Sequence, residues 1–176
     1  NSVIFYVLFT IFVLIATTNG VNLTDGLDGL AAGVTLIVMV FFTVVAMTRA
    51  EWDYIKIFAA SVSGGCLGFL VFNIYPARVF MGDTGSMAIG GALASVSALT
   101  GTELFLLLLG GVYVVETLSV IIHVISFQTT GKRIFRMSPL HHHFELGGML
   151  EPQIMLRFWM VGAVLGILGI LSFVIK

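Results

Sequence analysis

Six apolar runs, close to 3–18, 30–47, 57–74, 86–99, 104–127 and 154–175, leave this chain little choice of solvent. A helix needs about 20 apolar residues to cross the hydrocarbon of a bilayer, with about 17–25 the usual range. Most of these runs reach that length once their interfacial ends are counted. None alternates apolar and polar residues as the wall of a membrane β-barrel does. The expected fold class is therefore all-α: a polytopic transmembrane helix bundle, with about six helices, forming a single integral membrane domain over 1–176. The composition agrees, at 59% hydrophobic and 10% charged residues, against about 45–50% and about 25% in soluble domains. A net charge of −1 argues against nucleic acid, which requires a basic footprint. The lipid bilayer is the expected partner. The single cysteine, Cys66, lies in an apolar run and can build neither a disulfide framework nor a cysteine metal site within this chain. It reads as a small buried filler.

The fourth run is rich in small residues, among them Ala88, Gly90, Gly91, Ala92 and Ala94. That composition suits a helix packed closely among others, or a half-helix. The first run lacks a basic n-region and a small-residue cleavage site, so it reads as a span and not as a signal peptide. With no initiating Met, the chain is expected to be the C-terminal portion of a longer protein.

If all six runs cross, their connections alternate sides. One side receives the loops at about 19–29, 75–85 and 128–153, with Arg78, Lys132, Arg133, Arg136 and, at its edge, Arg157. The other receives 49–56, 100–103 and both chain ends, with Arg49, Lys56 and Lys176. The excess of positive charge places the first side in the cytoplasm. Nearly every unusual polar residue falls on that same side.

The first of those loops reads NGVNLTDGLDGLAAG. Asn22, Asp25 and Asp28 recur every three residues, and Gly26 and Gly29 directly follow the aspartates. As a helix start, this spacing lets the three polar side chains face one way. Capping of the following apolar helix accounts for one aspartate, but not for two carboxylates, an Asn and two glycines at a membrane boundary. The second loop reads FNIYPARVFMGDTGSMAIGG. Pro76 stops the preceding helix, and Gly82-Asp83-Thr84-Gly85-Ser86 opens the small-residue helix. Either Asp83, Thr84 or Ser86 caps that helix, or the segment offers backbone N–H groups to phosphate and a carboxylate to Mg²⁺.

The third loop reads FQTTGKRIFRMSPLHHHFELGGMLEP. Lys132, Arg133 and Arg136 alternate with Ile134, Phe135 and Met137, the pattern of an amphipathic segment at the headgroup layer. His141, His142 and His143 stand in a row. Three adjacent histidines on a helix cannot converge on one ion, and zinc spacing is missing. They suit contacts to phosphate or sugar, or the steadying of a carboxylate. Within the fifth run, Glu116 and His123 are seven apart and share a helix face. Glu116 reads as paired inside the bundle. His123, nearer the loop side, reads as a lining residue of the same cavity. Together these residues describe a Mg²⁺-dependent reaction on a phosphate-bearing substrate at the membrane face.

NLTDGLDGLA, FMGDTGS and PLHHHFE, in this order between apolar helices, resemble the polyprenyl-phosphate N-acetylhexosamine-1-phosphate transferase family, in its bacterial branch that handles MurNAc-pentapeptide. The resemblance runs along essentially the whole chain. It implies transfer of phospho-MurNAc-pentapeptide from UDP-MurNAc-pentapeptide to undecaprenyl phosphate, giving lipid I and UMP in peptidoglycan synthesis. The membrane implied is the bacterial inner membrane, with the active site facing the cytoplasm. It also implies roles: Asp83 as the Mg²⁺-associated aspartate, Asp25 and Asp28 as an acidic catalytic pair, and His141 as a catalytic member of the histidine motif. Asn22, Gly26, Leu27, Asn73, Phe80, His123, His142 and His143 are implied as substrate contacts, Phe80 by stacking on uracil. The family's upstream Asp-Asp motif and nucleotide-binding lysines are not in this sequence, so the segment is expected to be inactive alone. A homodimer is left open. Two alternatives stand beside this reading: a sister transferase using UDP-GlcNAc, against which PLHHHFE argues, and a lipid or ion transporter. A transporter is expected to place its polar site near the bilayer midplane.

Overall fold

The computed structural model describes residues 2–174. Asn1, Ile175 at the end of the sixth run and Lys176 lie outside the described residues. The described chain is all helical: α1 Ser2–Thr24, α2 Leu30–Ala46, α3 Asp53–Asn73, α4 Gly82–Thr100, α5 Glu103–Leu109, α6 Gly111–Thr130, α7 Leu140–Glu145 and α8 Glu151–Val174. A 3-10 turn, Ala50–Trp52, leads into α3.

All six expected runs are helical, with three differences. The fifth is bent at Gly110 into α5 and α6. Backbone bonds from Gly110 N–H to Leu106 O and from Val114 N–H to Gly110 O keep the two pieces continuous across the bend. Only α1, the 50–73 segment, α6 and α8 are both long and apolar enough to cross a membrane unaided. The 17-residue α2 is short, and α4 is diluted by small and hydroxyl residues; both are carried by packing. The fourth run is an unbroken 19-residue helix, so it is no half-helix.

The axis of the bundle is α2. Leu30, Val34, Val38 and Phe42 repeat every four residues and all are buried, as a helix enclosed on most sides requires. It lies chiefly between α3 and α8, while α1 packs against α4 and α6. Two close approaches explain the small residues. A Cβ on Gly90 would stand 2.8 Å from Thr18 Cα, backbone of α1. A Cβ on Gly33 would overlap the Trp159 indole. Without a hydrophobic drive between helices in lipid, such close backbone packing is what holds them together. The outer faces of α1, α3, α6 and α8 expose large apolar side chains such as Phe5, Phe12, Leu67, Ile125 and Val164. Water would not tolerate them and lipid does. The chain is a multi-pass membrane bundle. Cys66 is buried on α3, the filler it was expected to be.

Candidate active site

The three polar loops meet at one end of the bundle. The first differs from expectation in its start. α1 continues through Asn19 and Asn22 to Thr24, whose Oγ1 bonds back to Gly20 O at 2.7 Å. Asn22 therefore sits on the last turn of a helix, and Asp25 and Asp28 lie in the turn that follows, not on one helix face. The spacing of three was misleading because the break falls at Asp25-Gly26, inside the motif.

Capping is not what the aspartates do. The N-cap of α2 is Gly29, in the left-handed region at φ 72°, with no side-chain cap. The N-cap of α4 is Met81, again with none. Asp83 instead points its Oδ1 at Asn22 Nδ2, which donates at 3.1 Å and also lies 3.0 Å from Ser86 Oγ. Asn22 thus joins α1 to α4. Burial, and secondly the charge of Asp83, push the Asp25 carboxyl up to about 6. Among the described residues no cationic side chain pairs with Asp25 or Asp83. Two carboxylates close enough for the charge of one to act on the other, with no counter-charge beside them, form a donor set for a hard cation. Mg²⁺ typically takes one or two carboxylates and completes its shell with water and substrate phosphate. The residues fit that ion. Among the described residues no group of three or more His, Cys, Asp or Glu could hold a metal.

Asp28 ties the loops together. Its Oδ2 accepts the Ala77 N–H at 2.8 Å, and its own N–H donates to Glu151 Oε1 at 2.7 Å. Asn73 does the same from below: its Oδ1 accepts the Gly29 N–H at 3.1 Å and its Nδ2 donates to Val79 O at 2.9 Å. Phe80, three residues before Asp83, is 74% exposed.

The histidines radiate from α7. His141 is wholly buried, with Nδ1 3.2 Å from Glu116 Oε2. Its other edge faces Gly26, where a Cβ would stand 2.3 Å from Nε2. His142 pairs with Glu145 at 2.9 Å. His143 Nδ1 accepts the Arg136 N–H at 3.1 Å. The row of imidazoles is therefore three separate contacts, only one of which reaches the aspartate turn.

The profile of the family described as glycosyl transferase family 4 matches residues 1–101, more than half of the 176. This chain belongs to glycosyl transferase family 4. Beyond the matched span, the likeness extends through the histidine loop. The chain is 62% identical over 171 residues to a protein of Acetivibrio thermocellus named phospho-N-acetylmuramoyl-pentapeptide-transferase, covering 97% of this chain and 52% of that protein. Proteins of the same name from Desulfitobacterium hafniense and Geobacillus sp. are 55% and 58% identical. They cover 97% and 94% of this chain and 54% and 51% of their own lengths. The chain spans about half the length of the curated relatives it matches.

Within this family 4 chain the expected site residues divide. Asn22, Asp25, Gly26, Asp83 and His141 come together, with Phe80 and Asp28 at the rim. Leu27 packs its side chain into the core cluster, 8% exposed, which leaves its backbone as the part that faces the turn. Asn73 has both polar ends committed inside the protein and acts as a tether. His123 is apart from the aspartates; its Nδ1 faces the Phe135 N–H at 3.4 Å and its ring stacks on Phe135. The basic strip is an irregular segment. Residues 131–139 form no helix, and Arg136 fastens the loop, its Nη1 donating to Leu146 O at 2.7 Å. Three participants carry no motif signal. Glu116 was legible only as paired, with its partner unknown. Glu151 and Trp159, whose Nε1 donates to Gly29 O at 3.2 Å, gave no sign at all.

Proposed function

We propose that this chain forms the phosphate-handling face of a phospho-N-acetylmuramoyl-pentapeptide transferase. In that reaction phospho-MurNAc-pentapeptide passes from UDP-MurNAc-pentapeptide to undecaprenyl phosphate, giving lipid I and UMP. The site would face the cytoplasm from the bacterial inner membrane. The observation that carries the reading is the nearness of the Asp25 and Asp83 carboxylates, each felt by the other, at the end of the bundle where Asn22 binds Asp83 and His141 packs on Gly26. The name shared by the relatives supports it.

An oxygen of the lipid phosphate would attack the β-phosphorus of the UDP-sugar. The bond from that phosphorus to the bridging oxygen then breaks, and UMP leaves with the electron pair. Asp25 and Asp83 would hold Mg²⁺, which supplies charge neutralisation for the phosphates. Asn22 keeps the Asp83 carboxylate turned toward Asp25. The exposed Phe80 ring offers a stacking face for uracil. His141 offers a ring nitrogen beside Gly26. Asp28 and Asn73 hold the two turns in register, so their part is positioning. The isoprenoid tail would suit a groove of about 480 Å³ between α1, α5 and α6, lined mostly by apolar residues such as Phe12, Ala16, Leu107 and Val114, with Glu103 also in its wall, which reaches Asn19, one turn from Asn22.

The test is UMP release by the full-length protein in detergent with undecaprenyl phosphate and Mg²⁺, supplied in parallel with UDP-MurNAc-pentapeptide or UDP-GlcNAc. Release from the MurNAc precursor alone, lost with EDTA and in Asp83→Asn, is the expected result. Release from UDP-GlcNAc would move the protein to the sister group. Release from neither would favour a transport or binding role.

A further inference from the structure

We propose that Glu116 is a positioning residue for His141, holding the proton on Nδ1 so that Nε2 is the nitrogen presented to the Gly26 turn. Glu116 is buried on α6, five residues after its start at Gly111. Its carboxylate accepts the first free N–H groups of α7: Leu140 N–H to Oε2 at 2.8 Å and His141 N–H to Oε1 at 3.2 Å. The short helix that carries the histidines is thereby seated on one acidic side chain from another helix.

The same Oε2 lies 3.2 Å from His141 Nδ1. The contact is within ion-pair distance but off the line of a good hydrogen bond, and neither ring nitrogen has a hydrogen-bonded partner among the described residues. A carboxylate only accepts, so the ring nitrogen facing it is the one that carries hydrogen. In a neutral imidazole the other nitrogen is then bare. That other nitrogen, Nε2, is buried against Gly26, next to Asp25. His142 and His143 cannot take its place, because Glu145 and the Arg136 N–H hold them elsewhere. A buried acceptor nitrogen with no protein partner calls for a donor from outside the chain, and a substrate hydroxyl or an ordered water would supply it. Second partners of this kind fix the tautomer of a functional histidine in other sites.

Tautomer and turnover test this separately. Full-length protein labelled with ¹⁵N-histidine is prepared in detergent as wild type, Glu116→Gln and Glu116→Asp, with His141→Gln to assign the resonance. The expected wild-type signal is hydrogen on Nδ1 and a bare Nε2. Glu116→Asp keeps an acceptor and the same tautomer. Glu116→Gln places an amide N–H₂ among the α7 donors and shifts hydrogen toward Nε2. Its kcat is expected to fall on the order of 10–100-fold, as for loss of comparable outer partners, with KM for the UDP precursor within about twofold. Glu116→Asp recovers much of the rate. The kinetic arm rests on the transferase reading above; the tautomer does not. Wild-type hydrogen on Nε2, or a tautomer unchanged in Glu116→Gln, overturns the role of Glu116. The expected tautomers with no UMP release from any precursor would uphold it and overturn the transferase reading instead.

Discussion

Replacing Gly26 by Ala adds one methyl group and strikes the contact on which the site turns. The new Cβ would stand 2.3 Å from His141 Nε2, 2.9 Å from Cε1 and 3.3 Å from Cδ2. Ordinary contact begins at 3.4 Å, so the imidazole or the turn must give by about 1.1 Å, the difference of 3.4 and 2.3. Neither is free to move. The ring is buried, with Glu116 behind Nδ1 at 3.2 Å and the His142 ring tilted against it at a centroid distance of 4.3 Å. The turn is held by the Asp28–Ala77, Asp28–Glu151 and Gly29–Asn73 bonds. Gly26 itself has no positive φ, so alanine brings no backbone strain there and the effect is steric. Overpacking of this kind costs about 1–3 kcal/mol, and displacing a catalytic group by about 1 Å costs on the order of 10²-fold in rate. The assay is UMP release per folded protein, with a thermal melt in detergent beside it. Gly91→Ala is the control, because its Cβ would meet only Thr18 Cγ2 at 3.9 Å. Adding His141→Ala to Gly26→Ala makes room for the methyl group. The double variant is expected to melt no lower than His141→Ala alone and not to regain the rate. Wild-type rate and melting temperature in Gly26→Ala would refute the packing of His141 against this turn.

Three further outcomes are expected. Asp25 binds its proton more tightly folded, at about 6, than at its ordinary 3.8. Stability from this group is therefore present below the lower value and is lost as pH rises through the window between them; melts of wild type against Asp25→Asn from pH 4 to 6 would show wild type losing ground, and Asp83→Asn would shrink the difference. Asn73→Ala leaves the Gly29 N–H and Val79 O without their partners and should cost about 1–3 kcal/mol in stability, read by thermal unfolding, even though Asn73 contacts no ligand in this account. His142→Ala removes only a half-exposed pair with Glu145, worth about 0–1 kcal/mol, so its melt should match wild type, whereas His141→Ala should not.

The sequence by itself determined the solvent and the element list. Long apolar runs have no stable home in water, and they became helices because lipid leaves backbone groups no other partner than their own chain. It also placed Asn22, Asp25, Asp83 and His141 at one end, since alternation of loops between two sides depends only on counting spans. Tertiary structure decided the rest. That Asp83 pairs with Asn22 and does not cap α4 turned on Asn22 reaching from α1 to α4, a contact across 61 residues that spacing cannot show. Leu27 looked like its neighbours in the motif and went into the core, because one residue in a tight turn faces the opposite way from the next. Asn73 was expected as a substrate contact and Asp28 as a catalytic carboxylate; their bonds to the Gly29 and Ala77 backbone groups could not be read from the sequence. Glu116 carried no motif, and its meaning appeared only when α7 settled on it. A polar side chain is defined by what stands opposite it, and in a helical bundle the opposite residue belongs to a distant part of the chain.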